Sequence, residues 1–411
     1  MTYSAFTYYF LWIVSFIGLF LGVFWINLLF VKESKKIKMK KLPIVSVIVP
    51  AYNEEKTISR TISSLLGLNY PRGKLEVIVV DDGSTDNTVG IVKKFRNVKL
   101  IFNKHRGVGK ASAVNAGLKI AKGEFLGVLD ADSEAGRNSL INALEYFSSN
   151  KVGCIITPIK VVETKNLYTR LQRIEYAFTG MIRELMSRIS TLYNSHGVLS
   201  IFRTNLIRKL GGFDENNLTE DLEIAMRLRT EGYDIRMAHT ALTYTRVPST
   251  LRNLWEQRIR WSRGFIHNVL KYKHVLFNKK YGLYGMFQLP LNVFSIILLL
   301  LIFVLFSYEI ARKIYNWIIK IIILKLDIFS IGELPSLKYL LLGIDIKYFF
   351  PIIVVILINL FLLYKAHKII REKTRFFSLT LLAYFILFPI FTMINWAIAF
   401  VQEVFQIRKK W

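Results

Sequence analysis

The chain has 411 residues, of which 53% are hydrophobic, and its formal net charge is +27. This hydrophobic content exceeds that of an ordinary soluble enzyme, and the positive charge favours an anionic partner such as acidic lipid, a phosphate-bearing substrate or nucleic acid. Cys154 is the only cysteine, which excludes an intrachain disulfide and a zinc site built from cysteines.

An apolar run close to the N-terminus, from about Phe6 to Val31, is long enough to cross a bilayer. A cleaved signal peptide would begin with basic residues and end at a small-residue cleavage site. Here the basic residues come afterwards, as six lysines between positions 32 and 41. Because positive loops stay in the cytosol, we predict a membrane anchor over residues 1–41 and a cytosolic domain after it.

Short β-branched runs alternate with helical patterns between about residues 44 and 245. The pattern predicts strands in "IVSVIVP", "EVIVVDDGSTD", "VKLIF" and "FLGVLDAD", and helices near 86–96 and 109–121. Strands that alternate with helices indicate an α/β domain with a doubly wound, mostly parallel sheet. We place this domain at residues 42–248.

Two of the predicted strands end in pairs of aspartates, Asp81 with Asp82 and Asp130 with Asp132. A single aspartate after a strand is most often a turn former or a helix cap. Two pairs at the ligand-binding edge of one sheet repel unless a cation or hydrogen-bond donors compensate their charge. The pairs therefore predict a metal and a ligand that carries hydrogen-bond donors.

The stretch "HRGVGKAS" has some likeness to a phosphate-binding P-loop. That motif requires Gly at position 104 and Ser or Thr at position 111, where this chain has Lys104 and Ala111. A P-loop ATPase is therefore excluded. A contact with phosphate stays an alternative for Gly107, Gly109 and Lys110.

A stretch rich in tryptophan and arginine, "WEQRIRWSRG", precedes the C-terminal apolar runs. Residues 249–272 have an amphipathic pattern, and apolar side chains such as Leu254, Trp255 and Phe265 are predicted to rest on the bilayer. We therefore predict interface helices over residues 249–282.

Apolar runs long enough to span a bilayer follow at 283–308, 346–364 and 376–404. Basic residues between the last two predict a cytosolic loop. Charged residues interrupt the stretch 311–345, which we predict to be amphipathic or re-entrant, with a further span as the alternative. The prediction is a multi-pass protein of the cell membrane, with membrane helices over 283–411 and its α/β domain in the cytosol.

Seven motifs follow one another in a fixed order: "PAYNEE", "DDGSTD", "GKASAVNAGL", "DAD", "GGFDE", "LTEDLEIAMRL" and "QRIRW". The series resembles the inverting, membrane-embedded family 2 glycosyltransferases, which include the synthases of cellulose, hyaluronan, chitin and poly-β-1,6-N-acetylglucosamine. The resemblance covers about residues 44–275. It implies that the α/β domain has the GT-A type of fold and is inserted between transmembrane helices.

The resemblance also implies a site for a UDP-sugar. Its nucleotide-binding residues would be Ala51, Tyr52, Glu54, Asp81, Asp82, Lys110, Asp130, Gln257 and Arg260. The forked guanidinium of Arg260 would face the diphosphate. Asp130 and Asp132 would carry Mg²⁺ or Mn²⁺, which offsets charge on the departing UDP.

On the acceptor side, the resemblance makes Asp221 the general base that takes the proton of the attacking hydroxyl. Read alone, the Thr-Glu-Asp sequence is also a helix-capping pattern. Glu220, Trp261 and His196 would contact the acceptor, with the indole of Trp261 forming a floor under a sugar ring. A structural, hydrogen-bonded role is the alternative for His196.

These features favour an inverting, processive hexosyltransferase that uses UDP-GlcNAc or UDP-glucose to extend a β-linked polysaccharide and to pass it across the membrane. A single-sugar transferase to a lipid-phosphate carrier or another membrane acceptor is the first alternative, and a transporter or channel regulated by a nucleotide sugar is the second. Few ionisable residues lie inside the spans, which disfavours an ion-coupled carrier. We expect no nucleic-acid partner, because the basic residues flank membrane spans, and the need for an accessory subunit stays open.

Overall fold

The computed structural model describes residues 5–33, 35–39, 41–104, 107, 109–323, 346–370 and 378–407. The chain divides into two compact units. One consists of Lys32–Val293 and Ala366–Trp411, and the other of Met1–Val31 and Phe294–Lys365.

Ten strands of the first unit form two sheets. Their bounds are β1 Val45–Ala51, β2 Leu75–Asp81, β3 Val98–Phe102, β4 Phe125–Leu129, β5 Ser133–Ala135, β6 Val152–Ile156, β7 Ile159–Val161, β8 Val198–Arg203, β9 Asp234–Met237 and β10 Thr243–Thr245. The main sheet has the order β3-β2-β1-β4-β8-β6-β9, and the small sheet has the order β5-β10-β7.

The main sheet is mostly parallel, as predicted. Strand β1 runs parallel to β2 and β4, with Val47 opposite both Val77 and Gly127. Only β8 runs antiparallel to its neighbours β4 and β6. Every residue of β1 and β4 is buried, because helices cover both faces of the sheet, and this explains why these strands read as continuous apolar runs.

Seven helices accompany the sheets in the same unit. Their bounds are α2 Ile58–Leu66, α3 Thr88–Val92, α4 Lys110–Ile120, α5 Ser139–Leu144, α6 Leu167–Arg188, α7 Thr204–Lys209 and α8 Glu220–Thr230. Helix α2 buries Ile58, Ile62 and Leu65, which share one face by their spacing. The predicted helix at 86–96 is shorter in the structure, since α3 consists of β-branched residues and a glycine with low helix propensity.

The predicted interface helix is present as α9, Leu251–Lys271, and it begins where the Thr250 side chain accepts a hydrogen bond from the Asn253 N–H. It packs against a C-terminal apolar helix of the same unit, Leu379–Val404. This apolar helix is α12 in the numbering used below. Arg263 of α9 is 5% exposed, and its Nε lies 2.6 Å from Glu403 Oε1 of α12. A buried ion pair therefore joins the two helices.

Three apolar side chains of α9 that were predicted to rest on the bilayer make contacts within the protein. Leu254 is 2% exposed. Trp255 and Phe265 make edge-to-face contacts with Phe391 and Trp396 of α12, with ring centroids 5.6 and 5.9 Å apart. The prediction is wrong for the buried Leu254, because the helical pattern shows which face of α9 is apolar but not that protein covers it. For the half-buried Trp255 and Phe265 it stays a prediction.

The remaining long helices are α1 Ala5–Leu28, α10 Leu289–Ile323 and α11 Ile346–Ile370. Among the residues that the structure describes, three segments are long and apolar enough to cross a membrane: Tyr284–Ile323, Ile353–Ile370 and Leu379–Val404. The apolar part of α1, Trp12–Leu28, is shorter than these three segments. The three predicted C-terminal spans thus correspond to helices with shifted ends, while the N-terminal membrane anchor stays a prediction.

Residues 311–323 of the segment at 311–345, which was predicted to be amphipathic or re-entrant, continue α10 and are therefore not re-entrant. Within this helix Arg312 forms an ion pair, since its Nη2 lies 2.9 Å from Glu309 Oε2, three residues earlier. Residues 324–345 lie outside the described residues.

Candidate active site

A cavity of about 1000 Å³ opens at the carboxyl edge of the main sheet, between the sheet, α6, α9 and α12. All predicted site residues except Asp81 line it: Ala51, Tyr52, Glu54, Asp82, Lys110, Asp130, Asp132, His196, Glu220, Asp221, Gln257, Arg260 and Trp261. We call it the catalytic cavity. Motifs that are up to about 200 residues apart in sequence therefore face one space.

The two aspartates at the end of β2 have different positions. The carboxylate of Asp81 accepts hydrogen bonds from the backbone N–H groups of Gly83 and Ser84, at 3.1 and 3.3 Å, and so shapes the turn after the strand. Asp82 borders the cavity and accepts from the Gly109 N–H at 2.9 Å. Gly109 has φ +116°, a conformation that L side chains rarely adopt. Asp82 thus fixes the glycine loop in front of α4.

Lys110, the first residue of α4, lies among carboxylates. Its Nζ is 2.5 Å from Asp130 Oδ1 and 3.4 Å from Glu220 Oε1. Burial alone would lower the pKa of this ammonium, but the negative charges of Asp130, Glu220 and Asp221 raise it well above its ordinary value. Lys110 is therefore a permanent cation that joins the "DAD" and "TED" motifs.

The negative charge of Asp132 is less compensated than that of Asp130, the other aspartate of the "DAD" motif. Burial, followed by the charges of Asp130 and Glu54, raises its pKa to about 6, although the Ser133 hydroxyl donates to it at 3.0 Å. Burial likewise raises the pKa of Glu54. A cation would relieve this concentration of negative charge.

The carboxylate set fits a divalent ion that also binds substrate oxygens. Within the described residues no cluster of three or more Asp, Glu, His or Cys has the arrangement of a metal site. The chain therefore offers the pair Asp130 and Asp132. Mg²⁺ is commonly held by one or two carboxylates together with substrate phosphates and water, so a two-carboxylate set is compatible with such a metal.

The "TED" motif stands at the N-terminus of α8. Thr219 occupies the N-cap position, but its side chain makes no capping hydrogen bond, so the capping explanation of this motif does not hold. Asp221 Oδ1 accepts from the Leu222 N–H at 2.7 Å, and the Ser195 hydroxyl donates to the Asp221 carbonyl at 2.6 Å. The carboxylate of Asp221 is held at the cavity wall, beside Glu220, whose pKa burial raises.

His196 is a neutral imidazole with a defined tautomer. Its Nε2–H donates to the Thr157 carbonyl at 3.0 Å, which leaves a lone pair on Nδ1. Burial, assisted by the positive charge of Arg183, lowers its pKa to about 3. Nδ1 is buried and has no hydrogen-bond partner among the described residues. His196 thus has a structural hydrogen bond and one acceptor atom to spare.

The "QRIRW" residues lie on the cavity side of α9. Arg260 Nη1 donates to the Leu218 carbonyl at 3.3 Å, just before the "TED" motif. Gln257 Oε1 is buried without a hydrogen-bond partner within the described part of the chain. Trp261 is half-buried. An unpartnered carbonyl oxygen in a polar cavity is suited to a ligand hydroxyl or N–H.

Sequence reasoning missed one cavity wall. Glu175, Thr179 and Arg183 of α6 line the cavity, and their spacing of four places them on one helix face. That spacing was the only sequence signal for this part of the site. It was missed because α6 carries none of the seven motifs. Aromatic residues of α12, including Phe388 and Phe391, line the cavity as well.

Comparison with known proteins identifies the family to which the chain belongs. Residues 46–211 match the family described as Glycosyl transferase family 2. A poly-β-1,6-N-acetyl-D-glucosamine synthase of Staphylococcus aureus (strain COL) is 30% identical over 304 residues, which are 70% of this chain and 73% of that protein. The chain belongs to glycosyltransferase family 2. The resemblance inferred from the motifs is confirmed, and the protein is a glycosyltransferase.

Two further proteins extend the comparison. A probable glycosyltransferase of Bacillus subtilis (strain 168), YdaM, is 35% identical over 251 residues, 59% of this chain and 60% of that protein. The match therefore spans less than two thirds of YdaM. The solved structure of the mannosyltransferase PcManGT from Pyrobaculum calidifontis, in complex with GDP-Man and Mn²⁺, has a TM-score of 0.64 at 21% identity and covers 97% of this chain and 98% of its own. This likeness concerns the fold, and it confirms the predicted GT-A type of domain with apolar helices.

Proposed function

We propose that this family 2 glycosyltransferase is an inverting, processive synthase that extends a β-linked polysaccharide from a UDP-sugar, with UDP-GlcNAc or UDP-glucose as donor. One observation carries the proposal: the "DAD", "TED" and "QRIRW" residues line a single cavity. The name of the Staphylococcus aureus relative, a poly-β-1,6-N-acetyl-D-glucosamine synthase, favours UDP-GlcNAc over UDP-glucose.

On the donor side, Asp130 and Asp132 would hold Mg²⁺ or Mn²⁺, which when bound offsets the charge that develops on the diphosphate. Lys110 is a permanent cation beside Asp130, and Arg260 supplies a planar fork suited to phosphate oxygens. Asp82 borders the same space and fixes the glycine loop. These residues bind the nucleotide and orient its sugar.

On the acceptor side, Asp221 takes the proton of the attacking hydroxyl. Its Oδ1 is engaged by the Leu222 N–H, so Oδ2 is the atom that receives the proton. A carboxylate opposite the leaving group is what inversion requires. Trp261 offers a flat apolar surface to the acceptor sugar. His196 Nδ1 offers an acceptor for its hydroxyl or amide hydrogens, while Gln257 Oε1 offers one to the nucleotide.

The membrane arrangement belongs to the same proposal. Residues 42–248 form the cytosolic catalytic domain, residues 249–282 the interface region, and the segments 1–41 and 283–411 the membrane parts. Lysines after α1 favour a cytosolic location for the catalytic domain. Aromatic residues of α12 along the cavity wall favour exit of the growing chain beside the membrane helices. Transfer of one sugar to a lipid-phosphate carrier is the second candidate.

Purified protein in lipid nanodiscs, given UDP-GlcNAc or UDP-glucose with Mg²⁺ or Mn²⁺, tests the proposal. UDP release and the size of the product are the two measurements. We expect UDP release that requires a divalent ion and yields a polymer. A product with one sugar on an extractable lipid would establish the second candidate instead. Consumption of GDP-mannose with no release of UDP from either UDP-sugar would overturn the choice of donor.

A further inference from the structure

An ion pair joins the missed cavity wall to the "QRIRW" motif. Arg258 Nη1 and Nη2 donate to Glu175 Oε1 and Oε2 at 2.7 and 2.6 Å, so the pair is bidentate. The side chains of Arg258 and Glu175 are only 14% and 17% exposed. Both residues line the catalytic cavity. A forked geometry of this kind fixes the plane of the guanidinium as well as its position.

The fixed guanidinium lies on an aromatic ring. Arg258 Cζ is 4.5 Å from the centroid of the Trp261 ring, within the range of a cation–π contact. One face of the indole is therefore covered by Arg258. Since the tryptophan also borders the cavity, the opposite face and the ring edge are what a ligand can reach.

The covering cation needs its carboxylate partner. Arg258 Nε is buried and has no hydrogen-bond partner among the described residues, so Glu175 supplies the hydrogen bonds that hold the guanidinium in place. Without that carboxylate, a long arginine side chain would regain its rotamer freedom. It could then turn into the cavity, and the indole would lose its support on one side.

We infer that Glu175 and Arg258 are positioning residues for acceptor binding: together they fix the Trp261 indole with one face closed, so that a pyranose ring stacks on the other face alone. The inference rests on the proposed function, because it concerns the acceptor sugar of that reaction. A single open face restricts the acceptor to one stacking orientation.

The test compares Glu175→Gln with wild-type protein in nanodiscs, using UDP-GlcNAc as donor and a β-1,6-linked N-acetylglucosamine oligosaccharide as acceptor. We expect the acceptor KM to rise about tenfold, in line with a partly desolvated cation–π contact, while the UDP affinity and the donor KM change less than twofold. Products should become shorter. Arg258→Lys keeps the charge but loses the fork, and it should show a smaller shift in the same direction.

Two further measurements separate positioning from a general structural role. Asp234→Asn removes the carboxylate of the Arg229–Asp234 ion pair, which lies outside the cavity lining and is similarly shielded, with side chains 9% and 21% exposed. This control should leave the acceptor KM unchanged. In a Trp261→Ala background, Glu175→Gln should add no further increase in acceptor KM, since the platform it supports is gone.

An equal rise of donor and acceptor KM, an additive effect in the double variant, or the same acceptor effect in Asp234→Asn would each overturn the inference. Should Glu175→Gln fail to fold, Arg258→Lys is judged by the same criteria. Wild-type protein that ignores UDP-GlcNAc and the oligosaccharide would refute the proposed function. An active wild type with an unaffected Glu175→Gln would refute this inference alone.

Discussion

The side-chain amides of Asn217 and Asn268 hydrogen bond to each other, with 2.7 Å from Asn217 Nδ2 to Asn268 Oδ1. They are 1% and 0% exposed. Asn268 Nδ2 also donates to Thr219 Oγ1 at 3.0 Å. Because Asn268 belongs to α9 and Thr219 precedes Glu220 and Asp221, the helix that carries "QRIRW" also holds the loop that leads to the proposed base.

A second set of contacts joins the same helices one turn further along. The Tyr272 hydroxyl donates to Glu223 Oε1 at 2.6 Å, and Lys271 Nζ donates to the same oxygen at 2.8 Å. Glu223 of α8 is completely buried. The position of α8 is therefore set from the interface helix α9 through buried polar contacts.

Replacing Asn268 by leucine should weaken both stability and transfer. The Asn217 Nδ2 donor would stay buried without the acceptor that Asn268 Oδ1 provides, which costs about 1–3 kcal/mol of unfolding free energy. Transfer should fall while UDP binding persists, since the "TED" loop moves and the "DAD" pair does not. Thermal unfolding and UDP release measure the two effects. Asn253→Leu, at an exposed position of the same helix, is the matched control and should change neither.

Gly264→Ala should disturb the same loop by steric contact. An added Cβ would lie 2.3 Å from Thr219 Oγ1 and 2.5 Å from its Cγ2, so Thr219 must shift. Overpacking of this kind costs about 1–3 kcal/mol, and we expect lost turnover at intact UDP affinity. Gly73→Ala is the control, because a Cβ there meets nothing within 4 Å. Normal turnover of Gly264→Ala would contradict the coupling of α9 to the base.

His196 predicts a pH dependence of stability. Its pKa is lowered from 6.5 to about 3 in the folded protein, so the unfolded chain binds the proton more readily. The contribution of His196 is complete above pH 6.5 and is lost as the pH falls toward 3, at about 1.4 kcal/mol per pH unit. His196→Gln should show a shallower loss of thermal stability between pH 6.5 and 4.

The two proposed carboxylate roles predict different failures. Asp221→Asn should keep divalent-dependent UDP binding and lose about two to four orders of magnitude in turnover, as expected for a general base. Asp132→Ala should lose the divalent dependence of UDP binding itself. Calorimetric UDP titration with and without Mn²⁺, together with UDP release, distinguishes them. Glu231→Gln, at the exposed end of α8, should behave as wild type. Near-normal turnover of Asp221→Asn would remove it from the role of base.

The local features of the fold could be predicted from the sequence, because they depend on nearest neighbours. The strands before Asp81 and Asp130 and the interface helix α9 have a clear pattern within a few residues. The motif order also brought Asp221, Gln257 and Trp261 into one predicted site, and they line one cavity. Asp81 was the exception, because the sequence pattern of an aspartate after a strand is the same whether its carboxylate faces a ligand or closes a turn.

Long-range partners were not predictable in this way. Glu175 and Arg258 are 83 residues apart. The sequence around each residue does not indicate that it has a partner. The same holds for Asn217 and Asn268 on separate elements. The apolar face of α9 was assigned to lipid, because hydrophobic periodicity is identical for a face covered by a bilayer and a face covered by another helix.

The ion pair between Arg263 and Glu403 has a consequence for biosynthesis. The two residues are 140 positions apart, so at about 5–20 residues per second the ribosome finishes the arginine roughly 7–28 s before its carboxylate exists. During that interval the "QRIRW" helix lacks the surface that later covers it. A polypeptide whose translation stops before α12 would retain every motif of the sheet domain but leave a cation and two aromatic side chains uncovered. Such a fragment should be a substrate for proteolysis rather than a free consumer of sugar nucleotide, so that catalysis starts only in chains whose membrane part has been completed.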